Sequence, residues 1–376
     1  MKRLMITINL FFVIGCNDPF VTEFGDQEDA IMIEASNIPP ESVYAYDGGE
    51  FKVATWNIRF GIARFEFFAD ACGDKVILDD ASILRSMSAV VDTLIAMDPD
   101  IVLLQEVDLS SKRTGYLNQI KYLLDNTNLN YGCYASMWKA DYIPSDGIGR
   151  VDAGNAILSK YPLTDAKRVQ LRLRTDQDDL VQYFYLRRNI LTAKVPALAQ
   201  SGKDFYAVNI HATAFATDDT KEEHINQYVE VLGDIDLDQN LFVTGGDLNS
   251  VPPGSITDFC DIDKCDGDDF HMDGAEPFHK EGSYFENFPG EPDILLPLYN
   301  AYTPAIESTS YNLPKHFTHA PSTSMLDDST FTKHDRKLDY LFTNGSWVPG
   351  SGYTHQGAWE LSDHMPVSAT FMPESE

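Results

Sequence analysis

Short apolar runs, each closed by a polar residue, recur along the chain and are interrupted by two stretches of helical period. Residues 51–56 read as a strand that delivers Asn57. Residues 79–97 carry Ile83, Leu84, Met87, Val90, Val91, Leu94 and Ile95 at the spacing of a core-facing amphipathic helix, closed by Pro99. Residues 101–104 form a buried strand with Gln105 and Glu106 at its exit, and residues 154–162 form another that is entered through Asn155. Residues 205–210 end in His211, and a second helix is expected over 221–232. Leu241, Phe242 and Val243 make the next strand, after which Gly245 and Gly246 read as a sharp turn that presents Asp247 and Asn249. Residues 337–342 hold Asp339 inside an apolar run, and residues 361–367 place Asp363 and His364 before the last strand.

Asn57, Glu106, His211 and Asp247 thus stand at or just beyond the ends of four separate core strands. Strand ends gathered at one sheet edge are where α/β folds place their chemistry. A glutamate directly after four apolar residues is poorly explained by packing, because lone carboxylates are rarely buried without a partner or a metal. Asp247 and Asn249, two residues apart, can jointly hold a water or a metal. Taken alone they are also ordinary turn chemistry, so the series of strand ends carries the reading.

Composition narrows the partners. The 376 residues carry 58 acidic against 28 basic side chains, a formal charge of −30, which counts against tight nonspecific grip on nucleic acid. Residues 160–194 run against this trend, and Arg168, Gln170, Arg172 and Arg174 alternate there as one face of a strand, expected to be a solvated edge. No apolar run reaches the length of a membrane span. The first 16 residues place Lys2 and Arg3 before about ten largely apolar residues and end Val13, Ile14, Gly15, Cys16, the order of a signal peptide with a lipobox-like end. Residues 17–46 are then expected to be a disordered tether and residues 47–376 the folded domain, extracytoplasmic, lipid-anchored through Cys16 or secreted, and monomeric. Cys72, Cys133, Cys260 and Cys265 fit two disulfides in an exported chain. Three pairings are open, of which Cys260 with Cys265 and Cys72 with Cys133 is the expected one.

The ordered series TWN at Asn57, LQEVD at Glu106, GNAILSKYPL at Asn155, NIH at His211, GDLN at Asp247 and Asn249, KLDY at Asp339 and SDHMP at Asp363 and His364 resembles the endonuclease/exonuclease/phosphatase superfamily. With Arg113, Thr114 and Gly115 following LQEVD, it looks most like a bacterial branch with no single agreed substrate. The resemblance implies an α/β fold, a four-layer α/β sandwich of two packed mixed β-sheets flanked by helices, with a phosphoester-cleaving site at one edge. It implies Glu106 as the main metal ligand with Asn57 and Asp363, and Asp247 and Asn249 acting on the attacking water. By the same resemblance His211 and His364 bind the phosphate, Asp339 holds one of these histidines, and Asn155 contacts the phosphate. The oxygen-rich donor set suits Mg²⁺ or Mn²⁺, and Ca²⁺ also fits.

Uncatalysed phosphoester hydrolysis is so slow that general acid and base groups alone are too little, so a metal and fixed charges are expected. The implied activity is a secreted phosphodiesterase, with nuclease placed slightly ahead of a sphingomyelinase-like phospholipid or inositol-phosphate hydrolase. A catalytically inactive binding module on the same fold is the reading from another class. Residues 251–336, rich in Pro, Asp and aromatics, are expected to overhang the cleft, with Tyr284, Phe285, Phe288 and Tyr299 as stacking groups or as that segment's own small core. The acidic run at 261–269 reads as a surface loop, since its glycine and closing position do not fit an EF-hand. Arg113, Arg187 and Arg188 are open to either reading, substrate contact or simple solvation, and are left outside the expected site.

Overall fold

The apolar runs become the strands of two mixed sheets laid face to face. The computed structural model describes residues 20–40, 45–67, 75–143, 149–255, 290–307, 313–321 and 333–373. In chain order the strands are β1 (Gln27–Asp29), β2 (Ile31–Glu34), β3 (Phe51–Asn57), β4 (Ile101–Asp108), β5 (Tyr131–Ile143), β6 (Gly149–Ser159), β7 (Thr164–Gln170) and β8 (Asn189–Lys194). They continue with β9 (Phe205–His211), β10 (Leu241–Asp247), β11 (Thr303–Pro304), β12 (Asp339–Thr343), β13 (Ser346–Trp347), β14 (Tyr353–Thr354) and β15 (Val367–Met372). One sheet has the order β13-β15-β3-β4-β6-β5-β2 and the other β1-β7-β8-β9-β10-β12-β11. The pairs β3/β4 and β9/β10 are parallel, which aligns the ends that carry Asn57 and Glu106 in one sheet and those that carry His211 and Asp247 in the other.

The interior between the sheets is aromatic and aliphatic, with Phe51 stacked on Phe371 and edge-on to Phe205. Helices cover the outer faces, giving the four-layer sandwich. Helix α1 (Asp80–Met97) is capped by Asp79, whose side chain accepts from the Ser82 N–H, and ends in a left-handed Asp98 before Pro99. Its stripe Ile83, Met87, Val90, Val91, Leu94 and Met97 packs beside α2 (Gln119–Asn126) on the first sheet. Leu84 and Ile95, expected in that stripe, are about half exposed because the buried face is narrower than the apolar one. The short α3 (Asp179–Phe184) follows β7, and α4 (Thr220–Leu237) lies with α5 (Leu296–Ala301) on the second sheet.

Four expectations are corrected here. Residues 27–34 are sheet rather than tether: β1 pairs with β7 in one sheet and β2 with β5 in the other, with Ala30 alone between them. The two strands cover residues 167–169 of β7 and 131–134 of β5, which would otherwise be open sheet edges. The expected solvated face of β7 is not one surface: Arg168 is buried against the Phe24 ring at 4.0 Å, donating to the Ser136 and Arg187 carbonyls, whereas Arg172 and Arg174 lie beyond the end of β7 and pair with Asp219 and Asp176. Cys133 is a free, buried thiol inside β5, pushed up to about 12 by burial, so the expected bond to Cys72 is not formed. Cys72, Cys260 and Cys265 lie outside the described residues. The glycine pair lies within β10 rather than at a turn: a Cβ on Gly245 would sit 2.1 Å from the Tyr340 carbonyl and one on Gly246 1.9 Å from that of Ile210. Close approach of three strands, together with φ +144° at Gly246, is what requires glycine.

Tyr284, Phe285 and Phe288 and the 261–269 run lie outside the described residues. Tyr299 packs edge-on against Tyr340 and Phe342 of β12 and so joins the outer core of the second sheet rather than a core of its own segment.

Candidate active site

Near the site the interior between the sheets turns polar. Gln105 of β4 donates to the Asn209 side chain of β9 at 2.7 Å, and Asn209 donates back to the carbonyls of Leu104 and Ala156. Asn155 of β6 donates to Asn189 of β8, which donates to the Ser136 carbonyl. Asn155, expected on the phosphate, therefore spends its amide donors on the other sheet. These two ties fix the sheets relative to each other beneath the strand ends that carry the candidate site.

Glu106 sits within β4 at a bulge, where the pairing with β6 slips between Leu104 and Val107 and its own φ is +54°. A bulge with a left-handed glutamate is costly backbone, and it aims the carboxylate away from the apolar alternation of the strand. Arg113 supports the next residues from below, paired with buried Asp108 and stacked 3.7 Å over Phe60. Arg113 is thus structural.

Asp247, buried at the end of β10, is the centre of the arrangement. Its Oδ2 accepts from Asn57 at 3.1 Å and lies 3.3 Å from His211 Nε2, while its Oδ1 accepts the Asn249 N–H at 2.9 Å. Asn249, at φ +46°, donates its side-chain amide to the Ala212 carbonyl. His364 Nδ1 lies 2.9 Å from Asp339 Oδ2, and its Nε2 lies 3.7 Å from Asp247 Oδ2. The loop that carries His364 is tied down by the Trp56 indole donating to the His364 carbonyl and by Ser362, which bridges the Asn57 carbonyl and the His364 N–H.

The two histidines are held in opposite states. Burial, then the charge of Arg188, pushes His211 down to about 4, so it is neutral at pH 7. Burial also opposes a charge on His364, but the carboxylates of Asp339 and Asp247 outweigh it and hold the ring cationic well above the ordinary histidine range. Burial alone would raise Asp247; cationic His364 and the contact with His211 outweigh it and keep the carboxyl ionised far below its usual range. Glu106 is pushed up to about 7 by burial and by the charge of Asp363.

This last pair bears on the metal. Glu106 and Asp363 are like charges facing each other, with side chains 20% and 26% exposed, and Asn57 hydrogen-bonds to Glu106. Arg59 lies 3.7 Å from Asp363 and offsets part of that charge, and the oxygen-only set that remains suits a hard divalent cation. Donor atoms of Asp247, Asp339 and His364 also come within 4.8 Å of one another, but Asp339 and His364 are already bonded to each other.

The structure adds groups that the sequence reading passed over. Arg188 is buried, and its Nε and Nη1 have no hydrogen-bond partner among the described residues. Its charge acts on His211 and His224, which places it on the histidine side of the site. Arg187, by contrast, is consumed by the carbonyls of Tyr183 and Tyr185. A second histidine-carboxylate pair stands beside the first: His319 Nδ1 is 2.8 Å from buried Asp335, and its ring lies edge-on to His364 at 5.6 Å. Asp335 is held by Arg336 and kept ionised below the usual range, burial being outweighed by Arg336 and His319. An aspartate four residues before Asp339 was the available sequence signal; its partner is 16 residues away.

A sequence model described as the Endonuclease/Exonuclease/phosphatase family matches residues 54–364, and the chain belongs to that family. Members of this family are hydrolases acting on phosphoester bonds. Among solved structures the chain is similar to the endonuclease/exonuclease/phosphatase from Beutenbergia cavernae DSM 12333, with a TM-score of 0.56 and 16% identity over 87% of this chain and 72% of that one. It is also similar to a functionally unknown conserved protein from Enterococcus faecalis V583, with a TM-score of 0.50 and 18% identity over 86% of this chain and 100% of that one. These likenesses establish the fold. No curated protein shows a significant match to the chain.

Proposed function

We propose that the protein is a divalent-metal-dependent phosphodiesterase, exported and attached to lipid through Cys16. The observation that carries the catalytic reading is the ionised Asp247 set between a neutral His211 and a cationic His364, with Asn57 and Glu106 beside it. Glu106, Asn57 and Asp363 would hold the metal, which supplies charge neutralisation on the phosphoryl oxygens. Asp247 accepts a proton from the attacking water, and the Asn249 backbone and Asn57 hold its carboxylate in place. His364 meets the growing negative charge on phosphorus-bound oxygen with a full positive charge, and Asp339 keeps it oriented. His211 offers a neutral ring, and Arg188 offers guanidinium donors to a non-bridging oxygen. The water oxygen bonds to phosphorus, the ester P–O bond breaks with its electron pair on the departing oxygen, and that oxygen takes a proton from solvent.

A diester is favoured over a monoester because two histidines and one principal oxygen-rich metal site face one phosphoryl group. Nucleic acid is the first class to test and phospholipid head groups the second. The discriminating experiment is hydrolysis of bis-p-nitrophenyl phosphate with Mg²⁺ or Mn²⁺, with and without EDTA, beside plasmid, single-stranded DNA, RNA, sphingomyelin and inositol phosphates. EDTA-sensitive turnover is expected. No turnover on any of these would favour the binding module.

A further inference from the structure

We propose that the adjoining strand ends at residues 139–142 of β5 and 149–150 of β6, together with residues 20–22, form a contact surface for an anionic phospholipid bilayer; this rests on the reading of an exported chain anchored at Cys16. The first described residues are seated there. Val21 bridges Ala140, the Thr22 N–H donates to the Lys139 carbonyl, and the Asp141 N–H donates to that of Phe20. Cys16 precedes Phe20 by four residues, a reach of at most roughly 14 Å. A lipid on Cys16 would therefore hold this end of the fold at the membrane, with no long spacer between them.

The same end is the one that carries the chemistry. Strand β4 rises to the site through Glu106, where Val107 pairs with Gly154. On the neighbouring pair Ala140 stands opposite Val151, three residues further along β6, so the pair projects roughly 10 Å past that rung on the side of the site.

Its surface chemistry departs from the rest of the chain. Phe20, Tyr116 and Tyr142 are 46%, 47% and 62% exposed. Arg150 lies over the Tyr116 ring at 5.5 Å, and Lys139 and Arg150 line one cleft of about 170 Å³ with Phe20, Thr22 and Asp141. Lys112 adjoins them, packed against Gly149. Asp141 is the acid in that cleft, while Asp152, 3.7 Å from Lys139, is buried. On a chain of formal charge −30, a bilayer of anionic lipid repels most faces. A face of cations interleaved with exposed aromatics is the chemistry that settles at the head-group level.

The test is co-sedimentation of the chain from Asn17 onward, which keeps every described residue, with vesicles of phosphatidylglycerol and phosphatidylethanolamine or of phosphatidylcholine alone. Preferential, salt-sensitive binding to the phosphatidylglycerol vesicles is expected. The double variant Lys139→Gln, Arg150→Gln should bind them roughly thirtyfold more weakly. Lys203→Gln, just before β9 and so at the opposite end from His211, should bind as the parent does. Turnover of a soluble diester, or unchanged melting, reports that each variant is folded. Equal binding to both vesicle types, no binding, or an equal loss in Lys203→Gln would overturn the proposal. A chain that binds vesicles yet cleaves no phosphodiester would sink the catalytic reading and leave this one standing.

Discussion

His364 Nδ1 and Asp339 Oδ2 lie 2.9 Å apart in a buried pocket, with Asp247 Oδ2 3.7 Å from the other ring nitrogen. One carboxylate thus holds the ring while the second shares its charge. Asp339→Asn keeps the shape of this contact but removes the leading charge that keeps His364 cationic. A fall in kcat of about two to four orders of magnitude is expected, with little change in KM and a native far-UV spectrum. Near-parent turnover in this variant would separate His364 from the chemistry.

Glu106→Gln should abolish metal-dependent stabilisation. The parent is expected to melt at higher temperature in Mg²⁺ or Mn²⁺ than in EDTA, because a ligand that binds only the folded state raises its stability. The glutamine variant should show no such difference. Its melting temperature in EDTA should equal or exceed the parent's, since the buried charge opposite Asp363 is gone.

Arg188→Met should move function and stability in opposite directions. A buried guanidinium with two nitrogens that have no partner among the described residues costs the fold, and a methionine of similar reach removes that cost. Chemical denaturation is expected to show gain rather than loss, by about 1 to 3 kcal/mol. Inhibition by inorganic phosphate should weaken at least tenfold in the same variant. Loss of stability with phosphate inhibition intact would return Arg188 to the framework.

His224 sets a pH dependence of stability. It is buried in α4, accepts the Thr213 N–H at Nδ1, and places Nε2 2.7 Å from the Arg172 carbonyl, an arrangement that suits the neutral ring. Burial pushes its folded-state pKa down to about 4 from the ordinary 6.5. Between those values the unfolded chain holds more protons, so stability rises with pH through this window and is lost as pH falls from 6.5 toward 4. The loss attributable to this one ring is about 3 kcal/mol at the lower end. Urea unfolding at pH 7 and pH 4.5 should show it, and His224→Gln should flatten the difference, leaving the part due to His211.

Most of the frame was legible because strand ends announce themselves: an apolar run followed by a polar residue put Asn57, His211 and Asp247 where they stand. The glycine pair was visible, but its reason was not, since the Ile210 and Tyr340 carbonyls that exclude a Cβ belong to other strands. Glu106 was found by its unlikely neighbours, yet the bulge that aims it depends on pairing with β6. Arg188 and His319 were hidden for a related reason. An arginine in sequence does not reveal whether a carboxylate will meet it, and a histidine does not reveal its aspartate. For Asn155, expected on the phosphate, the sequence did not reveal that its amide nitrogen would serve Asn189 on the facing sheet. Residues 27–34 looked disposable because their acidic composition conceals that they finish both sheets.

That last feature has a consequence in time. β2 waits for Tyr131 to Tyr134, roughly 100 residues further on, and β1 for Lys167 to Val169, so during synthesis β1 has no partner until roughly 140 further residues have been made. At typical elongation rates the delay is about 7 to 28 s. Gln27 to Asp29 stay open to other strand edges for that interval, and the closing of β1 onto β7 is what ends it.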